Sequence, residues 1–531
     1  MEDTSIIARA NDPVDVLVVG SGAAGSLYAA KAAEAGKRVL ILEAGPERSL
    51  QDLFSSQIWA RKLKWGGAHV EEEGNLKIGN AFNSGYGTGG SAMHHYGVWP
   101  RLHEGDFSLE SDHGVGNNWP LSYENLRPYY DRIQLEVGIS GQASTEKWRP
   151  KGTDYPLPAM PIFTQGETLA RGFAAQGLHT APIPLAINSR PYKGRNACLF
   201  DGWCDAGCPN GALANPLTVY LKQALGAGAQ IQHQSTVSRV LTTADNQVSG
   251  VEYFDAAGEL QTQSATVVVL AAFAVQNARL LLLSKNNKYP LGLGNRAGLV
   301  GKYLMTHPSQ TINGLFPEPT YPHLGPTGGQ LINQDHYDQK QQSNGGLGSY
   351  QWLIANAVKP NDLLGFANAR VELFGANLDA YMRRAATHFA TMVSVQEDIP
   401  RAENRIELSK ERDQYGLPLA KTIHNVTEVT DKLSELARQE GLAVFKSAGA
   451  TEAWAGGRAG MHIMGGTIMG ESADNSFSNR FGQCHEIENL FVAGSGLFPS
   501  SGAVNPTFTI HALSLLSAEY MLDNWSSFNT A

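Results

Sequence analysis

The sequence predicts an α/β dinucleotide-binding domain of Rossmann type, interrupted by a second, α+β domain and completed by the C-terminal stretch. Three observations carry this. A glycine-rich turn near the N-terminus follows a short apolar strand and opens a helix. Strand and helix signals return at the far end of the chain. The 531 residues also exceed the size, roughly 250–300 residues, at which a single hydrophobic core stops growing.

The first element is a strand, Asp15-Val16-Leu17-Val18-Val19, whose unbroken apolar run suits a parallel sheet covered on both faces. A helix is expected from about 26 to 35, closed by Gly36, then a second apolar strand at 38–42. Together they make a βαβ unit. Residues 50–120 lack clean periodicity and read as loop, and 126–135 reads as a short helix. The irregular stretch 185–215 holds three cysteines, and a helix follows at 216–226. Strand patterns recur at 230–231, 236–241, 248–253 and 265–270, ahead of a helix at 275–283. Residues 310–455 mix strand-like and amphipathic segments with polar loops, of which 339–346 is expected to be mobile. The chain ends on a strand at 490–493 and a long helix at 506–522.

Composition narrows the function. With 42% hydrophobic and 17% charged residues the chain is globular, not disordered. A net charge of −9 offers no basic surface to nucleic acid or an acidic membrane. No apolar run approaches the roughly 18–20 residues that span a bilayer. Residues 1–14 are polar without the apolar centre of a secretory signal, which predicts a cytoplasmic protein. Cys198, Cys204 and Cys208 cluster, which points to a metal site or a local structural role, not a dispersed disulfide framework.

Gly20-Ser21-Gly22-Ala23-Ala24-Gly25 is a GxGxxG in its proper setting, after a strand and at the start of a helix. Gly20 allows the tight turn, Gly22 lets backbone amides reach a pyrophosphate, and Gly25 permits close helix–strand packing. The helix N-terminus then faces the phosphates, and Glu43, at the end of the second strand, can accept from ribose hydroxyls. This motif serves NAD and FAD alike.

Near the C-terminus, Met461-His462-Ile463-Met464-Gly465-Gly466-Thr467 precedes Ala493-Gly494-Ser495-Gly496 and Asn505-Pro506-Thr507. Taken singly, His462 reads as a structural histidine, and Asn505 before Pro506 as a helix N-cap with proline at the first helical position. Taken in order, the segments resemble the C-terminal signature of the glucose–methanol–choline (GMC) oxidoreductases. The Asn-Pro-Thr version is most similar to the flavin subunits of bacterial gluconate, fructose, glucose and glucoside 3-dehydrogenases, and more distantly to pyranose oxidases. Residues 19–45, Gly89-Gly90-Ser91, 268–281 and 301–307 resemble further blocks of that family. Most of 310–455, where the family builds an antiparallel substrate-binding sheet, is unmatched.

The resemblance implies FAD. It implies a discontinuous FAD domain from 10–105, 195–308 and 456–531, and a substrate domain from 106–194 and 309–455. His462 would be the general base that takes a hydroxyl proton as hydride leaves for the flavin, and Asn505 would bond the same oxygen. Gly90, Ser91, Val237, Ala271, Gly494, Asn505, Pro506 and Thr507 would join the cofactor contacts. His94 lines up with a histidine that in some pyranose oxidases bonds the flavin covalently, and in other relatives stays unattached beside it. Arg101 and the Asp106-Phe107 pair match a block that anchors this loop.

Cys198-x5-Cys204-x3-Cys208-Pro209 leaves two readings open. Three thiolates suit a [3Fe–4S] cluster, carried at this spacing by the resembling sugar dehydrogenases, where it passes flavin electrons to a cytochrome. The alternative is a loop of free thiols or one local disulfide. The expected activity is oxidation of a sugar, glycoside or polyol hydroxyl to a carbonyl. Its rivals are an oxidase of a sugar or aromatic alcohol that uses oxygen, a non-catalytic flavoprotein subunit, and an NAD-dependent dehydrogenase. Such relatives also work with a small subunit that can carry them to the periplasm.

Overall fold

The computed structural model describes residues 12–528. The outer limits 10 and 531 of the expected FAD domain, and most of the stretch 1–14 expected to hold no signal, lie outside these residues. Strand Val14–Val19 pairs in parallel with Val39–Leu42 on one side and Leu260–Leu270 on the other. Gln230–Gln232 extends the first flank and Leu490–Val492 the second, both parallel. The start of Leu260–Leu270 pairs antiparallel with Val248–Phe254, which pairs antiparallel with Thr236–Thr242, so the sheet is mixed. Helix Ala23–Glu34 packs against Thr507–Asp523, and Tyr123–Val137 packs on the latter's far side, with Tyr130 and Thr509 hydroxyls 2.7 Å apart. Val16–Val19, Ile41 and Val267–Leu270 are buried on both faces, as their apolar runs require.

A second sheet runs Glu452–Met464, Met305–Leu315, Phe389–Gln396, Tyr350–Ile354, Leu331–Asn333 and Ala181–Pro182, antiparallel throughout. Helices Thr164–Ala175 and Glu428–Ser447 cover it around a separate core that includes Ile312, Trp352, Met392, Leu433 and Phe445. A small third sheet joins Val70–Glu73 to Pro418–Ile423 and Arg405–Arg412.

Element ends move for local reasons. The first helix begins at Ala23, because Gly22 is its N-cap. The helix expected at 126–135 starts at Tyr123, where Ser122 accepts from the Asn125 N–H, and stops at Gly138 with φ +73°. The helix expected at 216–226 spans Tyr220–Gly226, since Asn215 and Thr218 close a turn ahead of it. Residues 50–120 are not all loop. They hold helix Gln57–Lys64, capped by Ser56, and strand Val70–Glu73, whose Val-Glu-Glu-Glu carries no strand alternation and pairs with residues some 350 positions away. The loop 339–346 is pinned at its base. The buried Lys340 Nζ donates to Asp106 Oδ1 at 2.7 Å, Glu397 Oε2 at 2.8 Å and Ser349 Oγ at 3.0 Å.

Candidate active site

The carboxyl ends of the parallel strands and one face of the antiparallel sheet enclose a cavity of about 1460 Å³. Ligands of open α/β sheets sit at such strand ends. Gly20, Gly22, Ala23, Ala24 and Glu43 line one end, and Gly90, Ser91, His94, Val237, Ala271 and Gly494 line its flank. His462, Asn505, Pro506 and Thr507 reach it from the C-terminal segment. Gly25 does not line it. A Cβ there would stand 2.0 Å from the Gly20 carbonyl, so Gly25 serves helix–strand packing, while Gly20 holds φ +100° against Ala271.

The residues present fit FAD. A Cβ on Gly22 would meet nothing closer than the Gly89 carbonyl at 3.9 Å, so its missing side chain opens the cavity wall. Helix Ala23–Glu34 has no capping side chain and no acid in its first turn, which leaves amide N–H groups for phosphates. The Glu43 carboxylate ties the turn together, accepting from the Ser21 N–H and hydroxyl at 3.0 and 2.6 Å and from the Gly45 and Gly87 N–H groups. His94 is buried with Nδ1 unpartnered, and burial holds its pKa down at about 3, so a neutral imidazole faces the flavin region. Behind it the buried Lys64 Nζ donates to Asp205 at 2.6 Å.

His462 and Asn505 meet across the cavity, with Asn505 Nδ2 3.3 Å from His462 Nε2. His462 lies within an irregularity of strand Glu452–Met464, between Met461 and Met464, and has φ +60°, uncommon for a residue other than glycine. The Asn83 side chain accepts its backbone N–H at 3.1 Å. Burial, then neighbouring His307, hold the His462 pKa well below the ordinary imidazole value. The ring is therefore a neutral acceptor at physiological pH. Asn505 is not a helix N-cap. Pro506 occupies that position without a side-chain bond, and the Asn505 carbonyl oxygen instead accepts from Gln351 Nε2 at 3.1 Å.

Sequence reasoning gave no role to His307 or Gln351. His307 Nδ1 lies 2.9 Å from His462 Nδ1, and its Nε2 lies 3.0 Å from the Gly502 carbonyl oxygen. The cross-strand pairing of Met461 with His307 makes this contact, a long-range fact without a local signal. Thr311, Thr327, Thr391 and Asn356 add a polar wall to the same cavity. His511, by contrast, is packed inside its helix between Trp99 and Tyr220. Arg101 anchors the preceding loop through Asp131 and Gln134, each at 2.7 Å.

All four cysteines are free thiols. Cys198, Cys204 and Cys208 border one hollow of about 10 Å³, room for roughly one water. The Phe200 N–H points to the Cys198 sulfur at 3.3 Å and the Leu213 N–H to the Cys208 sulfur at 3.4 Å. Burial pushes the Cys198 thiol up to about 11 and raises the other two as well. Among the described residues no three His, Cys, Asp or Glu side chains are set to hold a single metal ion. The donor types suit iron–sulfur ligation, but the hollow is too small for a cluster unless the loop parts.

Residues 14–309 match the N-terminal part, and residues 400–514 the C-terminal part, of the family described as GMC oxidoreductase. The large subunit of fructose dehydrogenase from Gluconobacter japonicus is 29% identical, over 96% of this chain and 98% of that protein. The 2-methyl-1,2-propanediol dehydrogenase of Mycolicibacterium austroafricanum is also 29% identical, over 97% and 96%. A solved structure of formate oxidase from Aspergillus oryzae superposes with a TM-score of 0.69 at 17% identity, over 98% of this chain and 100% of that one.

Proposed function

Because the chain belongs to the GMC oxidoreductases, FAD-dependent enzymes that oxidise CH–OH groups, we propose that it oxidises a hydroxyl of a sugar, glycoside or polyol to a carbonyl. One observation carries the reading. His462 Nε2 and the Asn505 amide converge on one point of a cavity that Thr311, Thr327, Thr391 and Asn356 also line. A hydroxyl placed there gives its proton to Nε2 while Asn505 Nδ2 donates to its oxygen and steadies the developing alkoxide. Bound FAD supplies the hydride acceptor. His462 is a weak base in this burial, so it takes the proton only as the C–H bond breaks. The polar wall would meet the remaining hydroxyls of a sugar, and the fructose dehydrogenase relative acts on such a substrate.

The FAD domain from 10–105, 195–308 and 456–531 and the substrate domain from 106–194 and 309–455 belong to the same reading. The mixed sheet keeps to this division. Strand Glu452–Met464 and the start of Met305–Leu315 cross it, and helix Tyr123–Val137 packs with the first core. The thiol loop decides the electron acceptor. The relative's designation as a large subunit supports a small partner subunit; a [3Fe–4S] cluster would need the Cys198–Cys208 loop to part, and with it the chain would be a dehydrogenase passing electrons to a cytochrome. Without iron, quinone or oxygen takes the electrons. Both points are tested by anaerobic visible and EPR spectra of the FAD-loaded protein, before and after a panel of sugars and polyols. Flavin bleaching by one of them is expected. No bleaching by any alcohol would sink the proposal, and iron content of freshly purified protein separates the two acceptors.

A further inference from the structure

We propose that His307 and Gln351 are positioning residues that fix the proton order of the catalytic pair, His307 by setting the tautomer of His462 and Gln351 by setting the sense of the Asn505 amide. This rests on the reading of His462 and Asn505 given above. One hydrogen-bond chain reaches the pair from both sides, and backbone carbonyls fix one end of it. At the first end, the carbonyl oxygens of Gly502 and Ser501 lie 3.0 and 3.3 Å from His307 Nε2. A carbonyl only accepts, so Nε2 carries a proton. Burial holds the His307 pKa at about 4, so the ring is neutral and its Nδ1 keeps a lone pair. His462 Nδ1, 2.9 Å away, must then donate, which leaves His462 Nε2 without a proton.

On the other side, three amides continue the order outward from His462. Gln334 Nε2 donates to Gln351 Oε1 at 2.9 Å, and Gln351 Nε2 donates to Asn505 Oδ1 at 3.1 Å. The Asn505 Nδ2 that remains is turned to His462 Nε2. The amide order is thus the one that the histidine pair requires. The histidines leave Nε2 a lone pair, and the amides bring it an N–H. Reversing the order would set a bare His307 Nε2 against the carbonyl oxygens of Gly502 and Ser501. His307, Gln334 and Gln351 are all buried, so water cannot repair a reversed link. The result is a base ready to accept and an amide ready to donate before substrate arrives.

The first test is ¹⁵N NMR of histidine-labelled, FAD-loaded enzyme, with His462 assigned from the His462→Gln variant. We expect protonated Nδ1 and bare Nε2 in the wild type, and a mixture of tautomers in His307→Phe. An Nε2-protonated ring in the wild type, or one unchanged tautomer in His307→Phe, overturns the proposal. The second test is kcat between about pH 5 and 9 for Gln351→Glu and Gln351→Leu. The new carboxyl can donate to Asn505 Oδ1 only while protonated. Gln351→Glu should therefore lose at least about tenfold in kcat relative to wild type as pH rises, with Gln351→Leu showing a pH-independent loss. A Gln351→Glu enzyme that follows either wild type or Gln351→Leu at every pH shows that residue 351 only fills space. Should the wild type oxidise no alcohol, the functional reading fails, and the NMR result still decides the proton order.

Discussion

Replacing His511 with phenylalanine should make the protein less sensitive to acid. His511 is buried, stacked 4.6 Å from Trp99 and 5.6 Å from Tyr220, and its Nδ1 donates to the Thr507 carbonyl at 2.7 Å. It does not line the cavity, so catalysis is left alone. Burial lowers its pKa from 6.5 to about 4. Below pH 6.5 the unfolded chain binds a proton that the folded ring refuses. The folded state therefore loses stability as pH falls from 6.5 towards 4, and keeps it in full above that window. At pH 5 the cost is about 2 kcal/mol for one such ring. His95 and His307, also held at about 4, behave alike, and together the three remove about 6 kcal/mol, a large part of a domain's net stability. Urea unfolding of wild type and His511→Phe at about pH 7.5 and 5 measures this. The variant loses the Thr507 bond at both pH values, but its drop between them should be smaller by about 2 kcal/mol. Equal drops in the two proteins would refute the buried, uncharged histidine.

His462→Gln should keep bound flavin and fold while slowing substrate-driven flavin reduction by about 10²–10⁴, read by stopped flow. Gly22→Val should fold, because its side chain enters open cavity, yet lose FAD; Gly25→Ala, whose methyl group meets the Gly20 carbonyl, should lower the melting temperature as well. Fluorescence titration and calorimetry separate the two. Lys340→Met strands the buried carboxylates of Asp106 and Glu397 and should cost about 3–5 kcal/mol in denaturant unfolding at neutral pH.

Much of the cofactor site was legible because its signals are local. Strand, Gly20-x-Gly22-x-x-Gly25, helix and Glu43 are contiguous, and the structure places all but Gly25 on the cavity wall. His462 and Asn505 were legible as a pair only through their resemblance to a family, since neither position is distinctive by periodicity. Asn505 before Pro506 misled the local reading, because the amide finds its partner on a strand of the other sheet. His307, Gln351 and the polar wall were illegible for the same reason. Antiparallel register, not chain proximity, brings them to the site, and register is set by packing on both faces of a sheet.

Strand Leu490–Val492 and helix Thr507–Asp523 bear on the order of folding. Leu490–Val492 inserts beside Leu260–Leu270, and Thr507–Asp523 covers Ala23–Glu34, so the earliest motif to leave the ribosome is roofed by the latest. Contacts spanning nearly the whole chain form only after the long intervening loop has closed. A nascent chain that stops short of 490 presents the glycine turn without Gly494 or the Asn505–Thr507 segment beside it. The wall of the cavity is thus complete only once residues 494–507 have been made.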